Sequence, residues 1–378
     1  MPDQFPRPEE GKRGGLGRTS RSPRFDGAWQ GLLRISFSNT LFGILTLGLY
    51  RFWGKTRLRR YLWAGIGFDG ERFEYTGRPR ELLFGFLIAL AVLVPLGLLF
   101  SVLSVALAGN PVLVSALADL EGVIVLVLVQ IAIYRARRYR LTRTRWRGIR
   151  GGQSGSALEY SMMALWWIFI TLVSLGLAYP VQRTRLQRYR MRNTWFGDRP
   201  FEFDARARRL FWPWVLAWLF LLPSLGVSYI WYRVREFRYF SRRTYMGALS
   251  FDSDLDAGGV IWIIVRYAVV LLGLYAIPMM AVHMGTSGGF DQILQALGGG
   301  GETVLGGDAS LTIFLDLAVL AVVPGVISWA LLKGPLLRAI CATLTVYGEE
   351  DFAAIRLGVL ISPARGEGLA DALDVGSL

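Results

Sequence analysis

The sequence predicts a mainly α-helical, polytopic integral membrane protein. It has two transmembrane hairpins, three shorter membrane segments each followed by a basic helix, and small cytoplasmic β elements. Three observations carry this class. Apolar residues make up 53% of the 378 positions, and the mean hydropathy of +0.39 is high for a soluble chain of this length. Two long stretches, Glu81–Tyr134 and Tyr267–Leu332, contain no Lys or Arg. One basic signature is written three times with matching flanks, and such self-similarity belongs to architecture before it belongs to any single site.

The first copy reads Lys55-x-Arg57-x-x-Arg60-Tyr61, preceded by Thr46-Leu47-Gly48 and followed by Phe73-Glu74. The second reads Arg183-x-Arg185-x-x-Arg188-Tyr189, between Ser174-Leu175-Gly176 and Phe201-Glu202. The third reads Arg233-x-Arg235-x-x-Arg238-Tyr239, between Ser224-Leu225-Gly226 and Phe251-Asp252. Each follows an apolar stretch. Clustered Lys/Arg beside membrane segments mark the cytoplasmic side.

Taken in order, residues 1–24 are polar, with Pro, Gly and Arg throughout, and read as a disordered basic tail without the apolar core of a signal peptide. Residues 25–80 form the first repeat unit. It holds the apolar segment Ile35–Trp53, the signature, and Phe68–Tyr75, where Asp69-Gly70 followed by apolar alternation signals a β-hairpin. Residues 81–134 have room for two crossings of about 20 residues each. They are Leu82–Ala108 and Val112–Tyr134, turning at Gly109-Asn110-Pro111. Residues 135–209 hold a basic segment and the second unit: the strand-like Trp146–Arg150, the apolar Ser161–Val181, and Trp195–Phe203 with Gly197. Residues 210–259 form the third unit, with apolar Leu210–Tyr232 and a weaker strand signal over Tyr245–Phe251. Residues 260–332 form the second hairpin, Val260–Met284 and Leu311–Leu332, joined by the Gly-rich loop Gly285–Ser310. Residues 333–378 read as a cytoplasmic tail.

The three shorter segments span roughly 28–35 Å at 1.5 Å per residue, just enough to cross once. Yet arginines flank each on both sides. The alternative to a crossing is a re-entrant segment, broken at its Ser/Thr-Leu-Gly step or at Pro223, and the positive-inside bias favours it. Irregular backbone at membrane depth requires packing against protein or a cavity.

The net charge of +14 raises nucleic acid as a partner. The arginines, however, sit in blocks beside apolar runs, so anionic membrane lipids are the expected counter-charge and nucleic acid is not. The single cysteine, Cys341, excludes an internal disulfide, and one histidine, His283, argues against a metal site. No nucleophile, base and orienting group cluster together, so neither an enzyme nor a cofactor is expected.

Thr46-Leu47-Gly48-Leu49-Tyr50, Trp53-Gly54-Lys55, Arg57-x-x-Arg60-Tyr61 and Phe73-Glu74-Tyr75-x-Gly77 resemble the YjgN-like family of uncharacterised bacterial inner-membrane proteins, which carry a domain of unknown function. Arg145-Trp146-Arg147-Gly148-Ile149-Arg150 and Gly366-Glu367-Gly368-Leu369-Ala370-Asp371-Ala372 fit the same pattern. The resemblance covers about residues 25–375. It implies a multi-pass location in the bacterial inner membrane, with both termini cytoplasmic on the charge pattern, and it implies no activity.

On a helix, Arg57, Arg60 and Tyr61 fall within about 100° of arc, as do Arg185, Arg188, Tyr189 and Arg235, Arg238, Tyr239, while Lys55 points away. Such faces suit lipid phosphates or an anionic substrate, because guanidinium offers a planar fork. The alternative is topological: arginines hold helix ends on the cytoplasmic side and tyrosines sit at headgroup level. Ionisable residues inside spans are further candidates. Arg266 can snorkel to the cytoplasmic side, whereas Asp316 lies toward the outer side, at a depth where His283 is the nearer partner. Two functions fit these features. One is transport of a small or anionic solute around the re-entrant segments; the other is lipid binding or scaffolding by the repeated Arg/Tyr faces.

Overall fold

The computed structural model describes residues 19–285, 322–349, 352 and 355, and side chains to residue 276 of the first block. One unit recurs: a helix, a reversal, a second helix and a β-hairpin. The first unit holds α1 (Trp29–Leu45), α2 (Arg51–Gly65), β3 (Ile66–Phe68), β4 (Glu71–Arg72) and β5 (Glu74–Tyr75). The second holds α3 (Pro79–Ala106), α4 (Pro111–Thr142), β6 (Thr144–Trp146) and β7 (Ile149–Gln153). The third holds α5 (Ala157–Val173), α6 (Tyr179–Arg192), β8 (Thr194–Phe196) and β9 (Arg199–Phe203). The fourth holds α7 (Arg208–Leu219), α8 (Val227–Arg242), β10 (Thr244–Met246) and β11 (Leu249–Ser253). The fifth holds α9 (Ala257–Gly285), α10 (Val322–Thr343) and β12 (Leu344–Tyr347). Residues 329–333 of α10 form a π-helical turn.

The Ser/Thr-Leu-Gly steps are the reversals of the short hairpins, and each residue has a mechanical task. Leu47, Leu175 and Leu225 adopt φ of 50°, 52° and 50°, and the following Gly48, Gly176 and Gly226 adopt 86°, 89° and 84°. Two successive left-handed residues end the first helix. The glycine N–H reaches back five residues to Gly43, Thr171 or Leu221 at 2.7–2.8 Å, the Schellman closure of a helix C-terminus. The Ser/Thr hydroxyl then accepts the N–H four residues on, at Tyr50, Ala178 or Ser228, which caps the start of the returning helix. The leucine is left at the apex, 96%, 75% and 95% exposed. With 17, 17 and 12 residues in α1, α5 and α7, these hairpins reach only about 18–25 Å.

Among the described residues four helices are long and apolar enough to cross a membrane: α3, α4, the Ala257–Ala276 part of α9, and α10. The turn between α3 and α4 falls at the expected Gly109-Asn110-Pro111, with the Asn110 side chain accepting from the N–H groups of Val112 and Leu113. Beyond Tyr134, the expected end of the crossing, α4 runs on as a helix to Thr142 and carries Arg135, Arg137, Arg138 and Arg140 past the apolar stretch. Charge ends the apolar stretch there but not the helix, because Arg is a good helix former.

The strands build one antiparallel meander, ordered β1-β12-β11-β10-β9-β8-β7-β6-β5, beside a three-stranded sheet β2-β3-β4. Here β1 is Ser20–Arg21 and β2 is Arg24–Phe25. The two sheets are joined through the chain at both ends, by Phe73 between β4 and β5 and by Ser22-Pro23 between β1 and β2. Residues 20–25 thus serve as the second strand of the fifth unit: Arg21 pairs with Val346 and Arg24 with Gly67. The ring of strands closes on residues 20–25, most of which the sequence assigns to a disordered tail, and β12 lies in the segment assigned to a cytoplasmic tail. Every unit contributes to the apolar filling of this ring: Phe68 and Phe73, Trp146 and Ile149, Phe196 and Phe201, Met246 and Leu249, Val346 with Phe352 and Ile355. The helices follow the same circuit. Each packs on the next from α1 to α10, and α10 packs on α1.

A candidate anion-binding face

The three positions of the signature that the sequence treats alike fall into different environments. The tyrosines are fasteners. Tyr61, Tyr189 and Tyr239 each donate to the carbonyl 33 residues upstream, on Ala28, Ser156 and Arg206, at 3.1, 2.9 and 3.3 Å. These carbonyls sit at the start of the first helix of the same unit, so the hydroxyl ties the two legs of the hairpin together. Tyr189 also donates to Glu159 at 3.0 Å. Burial, then that carboxylate, raises its pKa above the usual tyrosine value.

The second arginine is also engaged. Arg60 and Arg188 donate to the carbonyls of Gly77 and Ala205, each 17 residues on, at 3.0 and 2.7 Å. Arg238 lies 3.8 Å from Asp254 instead. These contacts hold the chain where it leaves the β-hairpin.

The first arginine differs. Arg57, Arg185 and Arg235 are all exposed. Among the described residues Arg57 and Arg185 have neither a hydrogen bond nor an ion pair, and Arg235 only lies over the Trp231 ring at 5.4 Å. The packing of α8 explains the exposure. Tyr232 and Phe240 bury against α7 and Tyr179, while Val234 buries against α9 and α10. Arg235 and Arg238 occupy the remaining open arc. Arg233, two residues earlier, points about 200° away and meets Glu236. Glu236 is 2% exposed and also accepts from Arg183 on α6 at 3.0 Å.

A fourth instance escaped the sequence reading. On α4, Arg135, Arg138 and Tyr139 stand 50 residues before Arg185, Arg188 and Tyr189. Tyr139 donates to Glu81 at 2.9 Å, and Arg135 is exposed like its counterparts. Ile133 replaces the leading basic residue and Gly151-Gly152 the trailing Phe-Glu, which hid the copy; the 50-residue spacing was the available signal.

Of the polar residues assigned to spans, Arg266 reaches across to the Leu331 carbonyl in the π-helical turn of α10, at 3.5 Å, rather than extending freely along its own helix. His283 lies on α9, but its side chain, Asp316 and residues 286–310 fall outside the described residues. Among the described residues no group of three or more His, Cys, Asp or Glu is placed to hold a metal ion.

A family model described as bacterial protein of unknown function (DUF898) matches residues 21–227, more than half of the chain. The inner membrane protein YjgN of Escherichia coli O157:H7 is 28% identical over 149 residues, which is 39% of this chain and 34% of that protein. The match therefore spans about a third of the length of this curated relative. No solved structure matches the chain.

Proposed function

This chain belongs to the DUF898 family of bacterial membrane proteins of unknown function, and we propose that it binds anionic phospholipid at the cytoplasmic leaflet of the inner membrane. In this reading α3, α4, α9 and α10 cross the bilayer. The three short hairpins enter from the side of the strand ring and return to it, with Leu47, Leu175 and Leu225 among the acyl chains. That places Arg57, Arg135, Arg185 and Arg235 at headgroup level, on arcs that no described helix covers. The observation that carries the reading is the difference within the signature. Its tyrosine and second arginine are taken up by the fold, whereas its first arginine is left open in all four instances. Each basic residue near an anionic surface contributes about 1 kcal/mol, and the guanidinium fork adds bidentate geometry that an ammonium lacks.

The test is native mass spectrometry of lipids retained by wild type and by proteins with Arg57, Arg185 and Arg235 changed together to Lys or to Ala. Both triple variants should retain several-fold less anionic lipid. Retention by the Lys variant equal to wild type would reduce the arginines to topological markers.

Transport of an anionic solute is the second reading, favoured by the opposite arc. Lys55, Arg183 and Arg233 share one position, and Lys333 stands ten residues before Thr343 as Arg233 stands before Arg243. Glu236 neutralises two of these cations, and the aromatic filling of the strand ring opposes an aqueous path at that end. Saturable phosphate or chloride flux into proteoliposomes, altered by Glu236→Gln, would make transport the better reading.

A further inference from the structure

The fourth unit departs from its neighbours at one position that changes the charge of its open face. In the second and third units the third residue of the first helix is an acid, Glu81 or Glu159, and it accepts from the signature tyrosine. In the fourth unit the residue in register with Glu159, 50 residues on, is Arg209, the second residue of α7. Arg209 lines a cavity of about 350 Å³ together with Leu210, Arg235, Arg238, Tyr239 and Arg242. The Tyr239 hydroxyl there bonds only the backbone of Arg206 among the described residues.

Four guanidinium groups therefore converge on one small cavity. Two of them are oriented by carboxylates: Arg242 by Asp252 at 2.6 Å and Asp254 at 3.1 Å, and Arg238 by Asp254 at 3.8 Å. Among the described residues Arg209 and Arg235 pair with no acid. Four positive groups against two negative ones leave a surplus of two. Arg235, Arg238 and Arg242 share one stripe of α8, at i, i+3 and i+7, so their heads can reach a common centre. A phosphomonoester carries about −1.5 to −2 charges and three acceptor oxygens at neutral pH, whereas a phosphodiester carries a single charge.

We propose that the cavity between the first turn of α7 and α8 binds a phosphomonoester, and selects it over phosphodiesters. The inference rests on the lipid-binding reading for its location at the headgroups and adds the headgroup class. The ligand is either a lipid bearing a terminal phosphate or a soluble phosphate ester.

The experiment uses the full-length protein in nanodiscs of neutral lipid doped with phosphatidic acid or with phosphatidylglycerol, read by lipid retention after extraction. Wild type should prefer phosphatidic acid by tenfold or more. Arg209→Glu, which restores the acid of the third unit and is compatible with a helix start, should abolish that preference. Arg185→Glu should lower retention of both lipids and leave the preference intact. Glycerol 3-phosphate and inorganic phosphate are added as competitors. Displacement of phosphatidic acid by them at millimolar concentration assigns the site to soluble esters, and its absence assigns the site to lipid. A preference unchanged in Arg209→Glu, or no preference in wild type, overturns the proposal. General retention of anionic lipid in those same samples reports separately on the broader reading.

Discussion

The hydroxyl of Tyr189 accepts the N–H of Ser156 and lies within bonding distance of the Ser156 carbonyl and the Glu159 carboxylate, whereas that of Tyr61 has one partner among the described residues, the Ala28 carbonyl. Replacing each by Phe removes only the hydroxyl. A lost hydrogen bond costs about 0.5–1.5 kcal/mol and one to a charged group more. Tyr189→Phe should therefore lower the thermal midpoint measurably more than Tyr61→Phe in detergent. Because the pKa of Tyr189 is raised from 10.0, its contribution is complete below pH 10.0 and is lost as pH climbs beyond it; the Phe variant should lack that alkaline loss. Glu236 is the other sensitive position. Truncation to Ala leaves Arg183 and Arg233 without their shared carboxylate. Removing one partner of a buried pair costs about 3–5 kcal/mol, and the low end applies because both arginines are partly exposed. A smaller loss in Glu236→Gln, which keeps the acceptor, is the expected pattern in denaturant melts.

The apex of each short hairpin asks for a left-handed residue followed by another. At Gly226 an added Cβ meets open space, so the cost of Gly226→Ala is the backbone cost alone, about 1–2 kcal/mol. Gly226→Asn should cost less, because Asn tolerates that region. Equal thermal shifts for the two variants would contradict the turn geometry. At this scale much is legible in the chain. Ser/Thr-Leu-Gly marks a helix stop, an exposed apex and a helix start within three residues, and Asp69-Gly70 and Asn110-Pro111 announce their turns by the same local chemistry. Local chemistry cannot say which of two matching arginines a neighbouring helix will cover. Arg57 and Arg60 look alike in sequence, yet only Arg60 finds a carbonyl, because Gly77 is brought back by a β-hairpin that follows it. Long-range closure was equally hidden. Nothing local in Ser20–Phe25 marks it as a strand, since its partners β12 and β3 lie at opposite ends of the chain.

The molecule is a circuit of five units closed by its own N-terminal strand, and closing a sheet removes the edges that invite mispairing. A chain beginning at Asp26 lacks that strand and exposes the edges of β3 and β12. It should melt earlier than the full chain and associate into oligomers detectable by size exclusion. Orientation is tested in the Cys341→Ser background with single cysteines at Gly300, Gly152 and Asp198. Impermeant maleimide should label Gly300→Cys from the periplasm and neither of the others. Labelling at Asp198 would mean that α5 and α6 do not return to the side they left. If all three short hairpins return, ten of the described helices occupy the leaflet beside the strand ring and four occupy the opposite one. At a helix diameter of about 10 Å, the six missing helices amount to roughly 500 Å² of cross-section. Such a solid is a wedge, broad toward the strand ring. A bilayer holding many copies should bow outward on that broad side, and the protein should enrich in small, highly curved vesicles over large flat ones when the strand ring faces the convex surface.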